Sequence, residues 1–144
     1  MKKKIWLTSL ARSPETMQGI MTSLKGYGLE GAGHFWEDNL DKMAWYTPRT
    51  ELLEPEVSLW LIHGSAEMFS RPSVRYGLSL LALCIQSVKG VDFPIIILQD
   101  GEGDLGAASL PTALKGCVVL PAAGGAYGAK VVAGMYRTSG QMFP

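Results

Sequence analysis

The chain has 144 residues, enough for one domain with a full core, and 47% of them are apolar, which excludes a disordered chain. Lysine plus arginine and aspartate plus glutamate number 13 each, so the formal net charge is zero and the chain as a whole does not favour nucleic acid. No apolar run approaches membrane-spanning length, which gives no reason to expect a membrane partner. The run Lys2-Lys3-Lys4 reads as a solvated leader to the first strand. Ile5-Trp6-Leu7 after it is too short for a signal peptide, and Thr8, Ser9 and Arg12 interrupt it. Cys84 and Cys117 lie in apolar stretches with no CxxC and no ligand at metal spacing. They read as buried reduced thiols, and a cytoplasmic location fits them.

In chain order, Lys4 to Ser9 is expected as the first strand. Ser13 offers a helix cap, Pro14 and Glu15 suit a first helical turn, and Met17, Ile20, Met21 and Leu24 follow at helical spacing. Gly26 and Gly28 stop that helix, and Ala32 to Trp36 is a weak second strand. Between Glu37 and Glu56, Asp38 caps a short helix through Leu40, Met43 and Ala44, and Thr47-Pro48 starts another that ends at Pro55. Val57 to His63 is the third strand, and Ser70 and Pro72 open a helix to about Val88 that Gly90 ends. Phe93 to Leu98 is the fourth strand, Gln99 to Pro111 a polar loop and Lys115 to Leu120 the fifth strand. Gly124 to Arg137 is a last helix that Gly128 and Gly134 weaken.

The third and fourth strands, Val57-Ser58-Leu59-Trp60-Leu61-Ile62 and Phe93-Pro94-Ile95-Ile96-Ile97-Leu98, decide the class. They are apolar on consecutive positions, the mark of strands covered on both faces of a parallel sheet. The expected fold is α/β: a three-layer sandwich around a five-stranded, mostly parallel sheet with right-handed crossovers and the flavodoxin-like order 2-1-3-4-5. Residues 1–137 form a single domain and 138–144 a tail or linker.

In such a fold the site lies past the carboxyl ends of the strands. The first loop there offers Thr8, Ser9, Arg12 and Ser13, hydroxyls and an arginine at a helix N-terminus, which suits a phosphate-bearing small ligand; ordinary helix capping explains them equally. A flavodoxin phosphate loop is similarly hydroxyl-rich in this place, although the glycine and asparagine expected of it are missing here. The second loop offers His63 and Ser65, with Glu67 close by. Three partners so near in sequence do not reach the geometry of a catalytic triad, so contact with a ligand or a structural role is the expectation for His63. The third offers Gly124 and Gly125 before a helix, an incomplete G-x-G-x-x-G that turn geometry also explains. Asp100, Glu102 and Asp104 alternate as in a calcium loop, but Leu105 and Pro111 stand where its glycine and glutamate belong, so no metal is expected.

In size and strand count the chain resembles a phosphoacceptor receiver domain. Such a domain places an acidic pair after the first strand, an aspartate at the end of the third and a lysine after the fifth. This chain has Thr8-Ser9, His63 and Leu120-Pro121 there, which implies a receiver that cannot be phosphorylated. Val57 to Ile62, Ser70 to Ser73, Val74 to Val88 and Phe93 to Leu98 are also similar to the skeleton of Toll/interleukin-receptor domains. The NAD-cleaving members carry a glutamate where this chain has Arg75, Tyr76 and Gly77. Neither resemblance assigns a family.

The helix from Pro72 is apolar on nearly every side through Leu78, Leu80, Leu81, Ala82, Leu83, Cys84 and Ile85. Burial on both sides implies a second copy or another domain, with Leu78, Leu81, Cys84 and Ile85 as interface residues. Alternatively, the Glu37–Glu56 segment or the tail covers it. Trp36, Trp45 and Tyr46 are core-edge residues or a second contact surface. The expected function is a non-enzymatic signalling or regulatory module that self-associates or docks a partner. The alternative is a nucleotide- or flavin-binding protein, extending to a Toll/interleukin-receptor-like or nucleotide-hydrolysing enzyme, with its site at the sheet's carboxyl edge; no particular cofactor is implied.

Overall fold

A computed structural model of the protein describes residues 4–10, 14–36, 52–54, 57–90, 93–100, 118–121 and 129–131. The chain runs β1 (Lys4–Ser9), α1 (Pro14–Lys25), β2 (Glu30–Phe35), β3 (Val57–Ser65), α2 (Ala66–Ser70), α3 (Pro72–Lys89), β4 (Ile95–Asp100) and β5 (Val118–Pro121). The strands form one five-stranded sheet in the order β2-β1-β3-β4-β5. Every neighbouring pair is parallel, which is the flavodoxin-like α/β arrangement.

Pairing sets the strand ends. β2 begins at Glu30, two residues before the expected Ala32, because it pairs with all of β1 from Lys4↔Glu30 to Ser9↔Phe35. β3 runs past His63 because Gly64 and Ser65 pair with Gln99 and Asp100 of β4. β4 starts late because the Phe93 N–H turns back to Gly90 O (3.2 Å).

The helix expected to open at Ser70 and Pro72 is α3, and a short helix, α2, precedes it in the stretch expected as a loop. Ser65 caps α2, its Oγ accepting from the Met68 N–H at 3.3 Å. Arg71 then stands extended at φ −65°, ψ 129°, as a residue before proline prefers, and Pro72 begins α3. Gly90, at φ 97°, ends α3 in a conformation that favours glycine.

The sheet divides the core. On one face Trp6, Trp60, Ile62, Ile95 and Ile97 pack against Val74, Leu78, Leu81, Ala82 and Ile85 of α3, with Leu52 and Phe69 alongside. On the other, Ile5, Leu7, Leu59, Leu61, Ile96 and Leu98 pack against Ile20 and Leu24 of α1 and against Val131. The alternation along each strand is the pleat, and helices over both faces make the three layers. Lys89 ties the end of α3 to the start of β3. Its Nζ donates to Glu54 O (2.7 Å) and Val57 O (2.6 Å) and lies 4.9 Å above the Phe93 ring.

This packing changes the account of α3. Leu78, Leu81 and Ile85, expected at an interface, fill this chain's own core, because they lie on the stripe that faces the sheet. Leu52, from the segment weighed as the alternative cover, is buried beside them. Cys84 is a free, half-buried thiol. The apolar side chains that α3 leaves outside are Tyr76 (53% exposed), Leu83 (56%) and Val88 (59%). Among the described residues no helix is long and apolar enough to cross a membrane. Cys117, Trp45, Tyr46, residues 37–51, the acidic loop after Asp100, residues 122–128 and the tail lie outside the described residues.

Candidate functional site at the carboxyl edge of the sheet

The carboxyl ends of β1, β3 and β4 bring Thr8, Ser9, His63, Ser65 and Asp100 to one edge. Thr8 and Ser9 are neighbours on β1, so the pleat sends them to opposite faces. Both are fully buried, as is His63.

On the α3 side, Thr8 is the centre of a relay. Trp60 Nε1–H donates to Thr8 Oγ1 at 2.9 Å, and Thr8 Oγ1 lies 2.9 Å from His34 Nε2. His34 Nδ1 lies 3.1 Å from Phe35 O, which can only accept, so the ring proton is on Nδ1. Nε2 is therefore the acceptor, and the Thr8 hydroxyl donates to it. The ring also stacks on Trp6 at 5.5 Å. Burial lowers the His34 pKa from 6.5 to about 4, against a smaller opposing pull from the Phe35 carbonyl, so the ring is neutral.

On the α1 side, Ser9, His63 and Asp100 lie in a line across the sheet. Ser9 Oγ is 3.2 Å from His63 Nδ1, and His63 Nε2 is 3.9 Å from Asp100 Oδ2. Ser9 and His63 meet because they pair in the β1–β3 register. Asp100 falls on the same face because it lies two residues beyond Leu98, the β4 partner of His63. Burial lowers the His63 pKa and the Asp100 carboxylate raises it, burial being the larger effect. The carboxylate draws the proton of the neutral ring onto Nε2, so Nδ1 accepts from the Ser9 hydroxyl. Among the described residues, Nε2 itself has no hydrogen-bond partner. The backbone fixes this corner: the Leu10 N–H donates to His63 O at 2.7 Å, and Leu10 folds over Gly64, where a Cβ would come within 2.8 Å of its side chain.

Serine, histidine and aspartate in a row invite comparison with a hydrolytic triad, and the geometry argues against one. The hydroxyl has no exposure, and 3.9 Å is too long for a hydrogen bond to the carboxylate. Of the residues singled out in sequence, Thr8, Ser9 and His63 converge as structural pairs, and Ser65 is a helix cap. Arg12, Ser13, Gly124 and Gly125 lie outside the described residues. Sequence reasoning missed His34 and Trp60 as partners of this edge and read Asp100 there only as part of an acidic loop, not as a neighbour of His63; only pairing four strands side by side brings them together. Among the described residues no cluster of three or more metal-ligating side chains occurs.

No described protein family matches this chain, and no curated protein matches it. Among solved structures the chain is similar to a response regulator receiver protein from Pseudomonas putida. The two share 14% identity with a TM-score of 0.49, over 83% of this chain and 84% of that one.

Proposed function

We propose that this chain is a non-enzymatic regulatory or protein-interaction module of flavodoxin-like fold, working in the cytoplasm by self-association or by docking a partner. The observation that carries the reading is the use made of the carboxyl edge. The side chains standing where such folds do chemistry are spent on holding strands together: Thr8 bridges Trp60 and His34, Ser9 pairs with His63, and Ser65 caps α2. Meanwhile Tyr76 and Leu83 are exposed at i and i+7 along α3, with half-buried Leu80 between them at i+4, away from the core stripe of Leu78, Leu81 and Ile85. An apolar ridge directed away from the core is the side of α3 that a partner would cover.

Size exclusion with light scattering tests this at high protein concentration. A particle larger than the 15.6 kDa chain is expected, reverting to the monomer mass in Leu83→Glu with its circular dichroism unchanged. A wild-type protein that stays monomeric counts heavily against the self-associating form.

A second reading, a binding site for a phosphate-bearing ligand such as a nucleotide or flavin, draws support from the buried His63 Nε2 at this edge, which has no hydrogen-bond partner among the described residues. A thermal-shift screen with nucleotides, NAD, flavins and phosphate addresses it. Stabilisation lost on Arg12→Ala or Ser13→Ala favours this reading, and a flat response removes it.

A further inference from the structure

The charges on α3 run against its own dipole. Arg71 stands at its N-cap, Arg75 follows one turn on, and the first turn holds no acidic residue, so two guanidiniums crowd the positive end of the helix. Among the described residues neither has an ion-pair partner. The negative end of α3 carries the opposite side chain. Lys89 turns inward there, its ammonium engaged by the carbonyls of Glu54 and Val57 and by the Phe93 ring. It thereby holds the exposed Glu54 beside the last turn. Arg75 and Lys89 lie about four turns apart, so the arginines and Glu54 border the same flank of the helix.

Between these ends runs the ridge of Tyr76, Leu80 and Leu83, with Ser79 and Ser87 beside it. The chain is described without a break from Val57 to Gly90, and Tyr76 and Leu83 are each more than half exposed within it.

We propose that this ridge is the face of a two-fold dimer in which α3 packs antiparallel against α3 of a second copy of this chain. The proposal rests on the self-associating form of the function given above and adds its geometry. Tyr76 of each copy packs on Leu83 of the other, and the two-fold axis passes between Ser79 and Leu80. Such an axis brings the same flank of both helices together. Arg71 then comes level with the last turn of the other α3 and meets Glu54 there, with Arg75 one turn inside that pair. The contact is made twice, and each positive helix end gains the negative end of its neighbour. A parallel pair would set Arg71 against Arg71 and Arg75 against Arg75. The second copy is the occupant because one surface carries both halves of its own complement, an apolar centre with cations at one end and a carboxylate at the other.

Sedimentation equilibrium of the intact chain tests this. Arg71→Glu and Glu54→Arg, both at exposed positions, are each expected to weaken the dimer by about tenfold, roughly 1.4 kcal/mol, because symmetry repeats the reversed contact. Circular dichroism should stay unchanged in both. Combining the two exchanges restores opposite charges and should return the affinity to within about threefold of wild type. Disulfide trapping checks the direction of packing with Cys84 and Cys117 replaced by serine. Ser79→Cys, beside the axis, should link two copies under mild oxidation, and Ser87→Cys, far from it, should not. The geometry is overturned if the single reversals leave the dimer intact, if the combined variant fails to recover, or if Ser87→Cys links as readily as Ser79→Cys. A wild-type chain that stays monomeric removes this dimer together with the self-associating form; a dimer indifferent to the charge exchange removes the antiparallel geometry alone.

Discussion

Two histidines enter the core of this sheet, and both are held neutral there at the expense of low-pH stability. The unfolded chain takes up a proton on each imidazole near pH 6.5; the folded chain protonates His34 only near pH 4 and His63 also below its ordinary value. As pH falls through this window the unfolded state binds more protons than the folded state, so the stabilising effect of keeping the rings neutral is present above 6.5 and lost below it. Each withheld proton steepens the loss by about 1.4 kcal/mol per pH unit. Urea unfolding of His34→Gln is therefore expected to show a pH slope between 6.5 and 4 that is shallower than wild type by about one proton. An unchanged slope would mean that His34 protonates in the fold as readily as in the unfolded chain. The sequence marked His63 because it closes the most apolar strand, and it marked Thr8 and Ser9 because they follow one. Nothing local marked His34, which lies in a glycine-rich segment and acquires its environment from Trp6 and Thr8 on the neighbouring strand.

Glycine placement separates two elements that look alike in sequence. Gly19 lies inside α1, where an added Cβ would meet nothing within 4 Å, so it costs the helix entropy and contributes no packing. Gly19→Ala should stabilise the protein by about 1 kcal/mol. Gly33 lies in β2, and a Cβ there would collide with the Leu7 carbonyl oxygen of β1. Gly33→Ala should destabilise by about 1–3 kcal/mol through overpacking, because backbone cannot yield as a side-chain tip can. Thermal or chemical unfolding of the two variants is expected to give opposite signs; two small changes of the same sign would contradict this packing of β2 on β1. Helix caps were legible, since Pro14, Pro72 and Gly90 mark their ends by local chemistry. The break between α2 and α3 was legible only in part. Ser65 was read as a ligand contact, and its role as a cap depends on β3 running two residues farther than its apolar run.

At the scale of the whole molecule, the sheet separates two cores whose residues share no packing cluster. Leu81→Ala under α3 and Leu24→Ala under α1 should each cost about 2–5 kcal/mol, both side chains being fully buried. Their effects should add to within about 0.5 kcal/mol in the double variant, because residues on opposite faces share no neighbours. A large coupling in chemical unfolding would mean that the sheet transmits strain between the layers. The class and the strand count follow from the sequence by itself, because doubly covered strands announce themselves as unbroken apolar runs; the order β2-β1-β3-β4-β5 was expected only as the commonest arrangement for five such strands, and strand pairing decided it. Tertiary structure alone decided the use of each marked residue. Leu78, Leu81 and Ile85 read as a surplus of apolar side chains until the sheet claimed them, leaving Tyr76 and Leu83 outside. Ser9 and His63 read as members of one ligand site and Asp100 as part of an acidic loop beside it, until register put the three side chains in a row. Apolar periodicity is a property of one segment, whereas a partner across the sheet is set by pairing between segments far apart in the chain.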